Sequence, residues 1–198
     1  VTSLADELRR PPAPSTFRVL LPPGWTQHQP NESGRAQLTA SIRARFKQAG
    51  RPDLEVKLAF MVNRQWTAMT RMGAVALYMP TEDTELPVPM TIIAVPYTAV
   101  AGKTLDADVR SRADGPVAAV DLPFGRVYRW VETQTSVNGE VGAFARSISY
   151  LYPVPGDKPT RGMLLATSIL HLDSGATEQM LESLTVLSDA IAETFRWK

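Results

Sequence analysis

The clearest pairing of chemistry-bearing residues in the sequence is His171 with Asp173, in the tripeptide "HLD". On a strand, side chains two residues apart share a face. A carboxylate beside an imidazole is then the arrangement of a general base and its orienting acid. The competing reading is a strand end, with Asp173 or Ser174 capping the first turn of a following helix. Capping requires no further coincidence and is preferred. The second histidine, His28, lies in the polar run "TQHQPNESG" and is read as a solvated loop residue. With two histidines and no cysteine in 198 residues, imidazole chemistry has little choice of residue. Thiolate nucleophiles, thiolate metal sites, disulfides and acylated cysteines are excluded within this chain.

Other candidates are sparser. Ser168, in "ATSIL", lacks the Gly-x-Ser-x-Gly surroundings of a nucleophile elbow. The sequence holds no Gly-rich phosphate loop, Walker pattern or dinucleotide fingerprint. Two acidic groups could hold a hard cation: Asp106 with Asp108, and Glu82, Asp83 and Glu85 of "TEDTE". Neither has the ordered donor spacing of a calcium loop, so both are read as solvated acidic surface. No cofactor and no metal is expected.

Aromatic residues remain. Tyr128 and Trp130 fall on one strand-like run, Tyr150 and Tyr152 on the next. Each pair shares a strand face, and across an antiparallel pair the four could form a cross-strand cluster. Uncovered, such a face is a binding surface; beneath a helix it is core, the commoner fate of aromatic side chains. Arg126 and Arg129 close by point to partial access to water. Trp66, with Met61, Met69 and Met72, forms a second apolar group that would suit a small apolar ligand between helix and sheet.

The elements that must position these residues follow from periodicity. "TSLADELRR" predicts a short helix from Thr2 or Ser3, stopped by "PPAP". "FRVLLPPGW" reads as a strand with Phe17, Val19 and Leu21 on one face, ended by Pro22 and Pro23, with Trp25 folding back as a corner anchor. Leu38, Ile42 and Phe46 recur every four residues in a helix ended by Gly50, and "DLEVKLAFMVNRQWTAMTRMG" predicts a second helix closed by Gly73. Together they make a helical pair at about 34–72. β texture then dominates, interrupted by a short helix capped by Thr104 and closed by Gly115. Asn138-Gly139 between two strand-like runs is a hairpin signal. "RGMLLATSILHLD" is apolar on both faces and predicts a central strand. A final helix at about 174–197 carries the stripe Met180, Leu184, Leu187, Ile191 and Phe195. The fold class is α+β: one domain, 1–198, with a mostly antiparallel sheet of six or seven strands sandwiched by helices.

Lys plus Arg (21) nearly cancels Asp plus Glu (20), and the charges are interspersed. Nucleic acid and polybasic membrane contacts are therefore not expected as partners. No stretch approaches the roughly 18 apolar residues of a membrane span. Val1 followed by polar, helix-starting residues fits a GTG start translated literally, and the absence of cysteine fits a reducing compartment, so the expectation is a cytoplasmic protein; a removed leader would make it secreted or envelope-bound.

"FRVLLPPGW", "SISYLYPVPG" before "MLLATSIL", and "LSDAIAETFRW" resemble the first strand, last strand pair and terminal helix of the Mog1/PsbP-like group. Within it the likeness is to uncharacterised actinobacterial proteins and lipoprotein relatives of LpqN type. The resemblance implies an antiparallel sheet between helical layers and a non-enzymatic accessory or binding role. It brings no catalytic residues. The helical pair is longer than the group's usual connection, and the lipidated cysteine is missing. The expectation is a non-catalytic module with a protein partner; the alternatives are a small apolar ligand, or a hydrolase using His171 and Asp173.

Overall fold

The run that is apolar on both faces lies at the centre of the sheet. In the computed structural model, which describes residues 16–48, 52–80, 88–134, 143–172 and 177–198, the elements are β1 (Phe17–Arg18), β2 (Trp25–His28), α1 (Glu32–Gln48), α2 (Pro52–Arg71), β3 (Ala76–Pro80), β4 (Met90–Thr98), α3 (Leu105–Arg112), β5 (Ala118–Leu122), β6 (Gly125–Gln134), β7 (Ala143–Pro153), β8 (Arg161–Leu172), α4 (Thr177–Glu193) and β9 (Arg196–Trp197). Seven strands pair antiparallel in the order β2-β3-β4-β8-β7-β6-β5, with β8 fourth. β1 and β9 form a separate antiparallel ribbon, Phe17 opposite Trp197.

Alternation along the strands divides the core in two. One face carries Tyr78, Ile92, Ala94, Ile148, Tyr150, Tyr152, Leu165 and Ile169, packed under Leu181, Leu184, Ile191 and Phe195 from α4 and beyond. The opposite face is covered in two places. Leu38 of α1 and Trp66 and Met69 of α2 pack on Leu77 of β3, while Leu105 and Val109 of α3 pack on Tyr128, Trp130 and Leu151. The α+β sandwich expected from the sequence is the observed one. Alternating strands bury one side chain in two on each face, and each helix supplies the apolar stripe that covers it.

Local chemistry sets the ends of these elements. At the start of α1, Asn31 Oδ1 accepts the Gly34 N–H at 2.9 Å; a Cβ on Gly34 would lie 2.0 Å from the Gln29 carbonyl oxygen, so no larger residue fits that turn. α2 closes on Gly73 at φ 72°. Its N–H reaches the Thr70 carbonyl (3.0 Å) and that of Ala74 the Met69 carbonyl (3.2 Å), the paired bonds of a Schellman ending. Thr104 caps α3 by accepting the Ala107 N–H at 3.3 Å.

Four expectations change. "TQHQ" is not a loop: Trp25–His28 is an edge strand, its Trp25 opposite Pro80. The Phe17 strand belongs to the small ribbon rather than to the main sheet. α3 ends at Arg112 with Ala113 as its C-cap, before Gly115. α4 ends at Glu193, and its buried stripe is Leu181, Leu184, Ser188, Ile191 and Ala192, with Met180 exposed. Gly50, Asn138, Gly139 and the helix expected near Thr2 lie outside the described residues.

Candidate functional site

The register of β6 with β7 runs from Gln134↔Ala145 to Tyr128↔Leu151. Pro153 lies just beyond its end. Val154 N–H donates to the Arg161 carbonyl at 2.9 Å, so even-numbered residues at this end of β7 bond to β8 and odd-numbered ones turn toward β6. Pro153 has no N–H to give, and its carbonyl accepts the Trp197 indole N–H at 2.9 Å. In the same register Arg126 stands opposite Pro153, which has no N–H to give the Arg126 carbonyl.

Beside this end of the strand pair lies a cleft of about 430 Å³. Its walls are the β5–β6 turn with Phe124, the β7–β8 turn with Pro155 and Pro159, and Tyr128, Tyr152 and Trp197. Phe124 stacks on Tyr152, centroids 6.4 Å apart, and Tyr152 on Phe195 at 3.8 Å. The Arg196 guanidinium covers the outer face of Phe124 at 4.1 Å. At the rim Arg126 holds Asp121 with two hydrogen bonds, 2.9 and 3.3 Å, which keeps the Asp121 carboxyl below its ordinary value.

A second polar assembly lies beneath α4. The Tyr150 hydroxyl donates to Asp189 Oδ1 at 2.6 Å and lies 3.0 Å from Ser188 Oγ; Ser188 Oγ is 2.8 Å from Thr167 Oγ1. Arg129 grips the same carboxylate through Nε (2.7 Å) and Nη2 (3.2 Å). Burial, reinforced by the bond to Asp189, pushes the Tyr150 phenol up. Ser, Tyr, Asp and Arg are thus together, yet each is bonded to another, and Ser188 and Thr167 are buried. The group ties α4 to β6, β7 and β8.

The residues singled out from the sequence fall as follows. Tyr128 sits opposite Leu151 and Trp130 opposite Ser149, which puts this pair on the α3 face while Tyr150 and Tyr152 lie under α4. The four form no common cluster. Tyr128, Trp130, Tyr150, Tyr152 and Trp66 are 8%, 9%, 4%, 2% and 6% exposed, so none offers a flat surface. Trp66 and Met69 are core, Met72 is exposed, and the Met61 side chain lies outside the described residues. His171 stacks on Phe144 at 5.6 Å, both ring nitrogens buried without a hydrogen-bond partner; Asp173 lies outside the described residues, as do Glu82, Asp83 and Glu85. His28 is no solvated loop residue: its Nδ1 is buried without a partner and burial lowers its pKa. Asp106 pairs with Arg110 at 2.9 Å. Asp108, expected on an acidic surface, is 0% exposed, its Oδ2 accepting the Tyr97 hydroxyl at 2.8 Å. Among the described residues no group of three His, Asp or Glu is placed to hold a metal ion, and no helix is long and apolar enough to cross a membrane. The cleft was missed because it is assembled from two turns and the chain end, Phe124, Pro155, Pro159 and Trp197, which lie far apart in sequence.

No family model matches the chain, and no curated protein is similar to it. Among solved structures, the chain is similar to the crystal structure of LpqN, involved in cell envelope biogenesis of Mycobacterium tuberculosis, with 12% identity and a TM-score of 0.47 over 98% of this chain and 96% of that one.

Proposed function

We propose that the chain is a non-catalytic accessory module that binds a protein partner through the cleft between the β5–β6 and β7–β8 turns. The observation that carries this reading is the cleft itself: about 430 Å³, lined by Phe124, Tyr128, Tyr152, Trp197 and the prolines of the β7–β8 turn. The side chains best suited to chemistry support it from the other side. Ser188, Tyr150, Asp189 and Arg129 are bonded to one another, and the His171 ring lies against Phe144 with both nitrogens buried. A hydrolase built on His171 would need that ring to reach a substrate. The absence of cysteine supports a cytoplasmic setting, with secretion or the envelope as the alternative.

A second reading has one observation in its favour. The cleft volume falls within the range of small-molecule sites, about 300–1,000 Å³, so a small apolar ligand is its natural rival. Affinity capture from the source organism separates the two when run in parallel with wild type, Phe124→Ala and Arg126→Ala, each checked for a native melting transition. A specific protein recovered by wild type and lost with both variants is the expected result. Equal recovery by all three, or a small molecule extracted from the wild-type cleft with no protein recovered, overturns the proposal.

A further inference from the structure

The sheet ends at β2, an edge strand whose ladder partner is β3. His28 is its last residue and stands opposite Leu77. Side chains opposite each other across an antiparallel pair share a face, so the imidazole lies on the side where Leu77 packs with Leu38 of α1 and with Trp66 and Met69 of α2. Its Nδ1 is buried without a hydrogen-bond partner. In a neutral ring that nitrogen stays unprotonated; protonation gives it an N–H and the ring a charge, and no acceptor meets either. Among the described residues, the charged side chains of the elements packed on this side are Glu32 and Arg35 of α1, bonded to each other, and Arg43, Arg64 and Arg71, all exposed. The carboxylate in this set is thus taken by Arg35. β3 adds Tyr78, which lies on the opposite face. Burial lowers the His28 pKa.

The chain that follows His28 has no slack. The Gln29 carbonyl accepts the Asn31 N–H at 2.8 Å, and Gly34, in the first turn of α1, sits so close to that same oxygen that a Cβ does not fit. A displacement of His28 is therefore passed to the start of α1. Edge strands held by few contacts open at lower cost than the centre of a sheet. We propose that His28 is an acid-sensitive latch: its protonation releases β2 and the start of α1 from β3, uncovering Leu77 and the edge of β3 while the centre of the sheet stays folded. The fold holds the neutral ring, and in the unfolded chain the ring takes up its proton near pH 6.5. The stability that His28 contributes is complete above that value and is lost as pH falls below it. β2 lies at the opposite edge of the sheet from β5, so the latch is independent of what the cleft binds.

Amide hydrogen exchange of the full chain, read by mass spectrometry at about pH 7.5 and about pH 5.5, a unit either side of the ordinary histidine value, tests the latch once rates are corrected for the intrinsic effect of pH. In wild type, protection of peptides spanning 25–34 is expected to fall severalfold, up to about tenfold for one proton over one pH unit. Peptides from β7 and β8 are expected to keep theirs. His28→Gln, which does not titrate, and His28→Leu, which fills the apolar site, are each expected to remove the pH response at 25–34, and His171→Gln to leave it in place. Equal protection of 25–34 at the two pH values in wild type overturns the inference, and that comparison requires no variant to fold. The same loss in a folded His28 variant overturns it as well, as does a loss spread evenly over every strand, which is global unfolding and not the release of one edge.

Discussion

At the scale of single residues, Asp189 is the acceptor on which α4 and the sheet depend. It takes the Tyr150 hydroxyl and both nitrogens of the Arg129 fork. Asp189→Asn keeps the shape but loses the charge that makes these bonds strong, and an expected loss of about 1–2 kcal/mol in urea unfolding follows from typical charged hydrogen bonds. Tyr150→Phe should cost about 1 kcal/mol, and the double variant less than the sum, because the two share one bond. Additive losses would show that the assembly is not a unit. Asp108 offers a test in acid. Burial pulls its carboxyl upward, but the Tyr97 hydroxyl, the Arg112 guanidinium and the Val100 N–H together outweigh that and hold it below its ordinary value. A depressed carboxyl contributes stability that is complete above its unfolded value, near 4, and is lost as pH falls below it. Asp108→Asn should therefore flatten the acid limb of the stability curve; an unchanged limb would remove Asp108 from it. The aromatic residues show how far single residues were legible. Alternation placed all four on strands and paired them correctly within each strand. It could not align two strands across a turn, and the Tyr128↔Leu151 register, offset by one from the alignment that clusters them, sends the pairs to opposite faces.

At the scale of elements, termini were readable where a side chain or a glycine makes the ending itself. Thr104 and Gly73 are of this kind. Thr104→Ala should cost about 1 kcal/mol and Thr104→Ser much less, since a hydroxyl is what the Ala107 N–H requires. Gly73→Ala should cost about 1 kcal/mol as well, because a Cβ at φ 72° is strained. Thermal or urea unfolding of the three variants checks both, and a neutral Gly73→Ala would mean that the α2 ending had rearranged. The ends misread from sequence were those that tertiary pairing decides. Trp25–His28 has strand geometry because β3 offers it a ladder, not because "WTQH" alternates apolar with polar. Residues 194–197 continue the apolar period of α4, yet Phe195 is drawn into the core and Arg196 and Trp197 pair with β1. The cleft depends on this: a helix continued to Trp197 would not deliver its indole to the Pro153 carbonyl.

At the scale of the whole molecule, the sheet is a device for burying phenols. All five tyrosines stand above their ordinary value with burial as the leading cause: Tyr78 and Tyr97 are pushed up to about 12, and Tyr128, Tyr150 and Tyr152 are also raised. They come from β3, β4, β6 and β7 and lie on both faces, so no local rearrangement exposes them together. The neutral phenol is what the fold stabilises, and in the unfolded chain it ionises near pH 10. The stability it contributes is therefore complete below about pH 10 and is lost as pH rises from there toward and beyond 12. A titration followed by phenolate absorbance should be nearly silent at pH 10, where free tyrosine is half ionised. The phenolate signal should then rise steeply and together with loss of far-ultraviolet circular dichroism, since ionisation and unfolding are one event. A gradual rise near pH 10 in a chain that keeps its circular dichroism would mean that some of these rings are open to water. Tyr128 would be the first to suspect, because it lines the cleft.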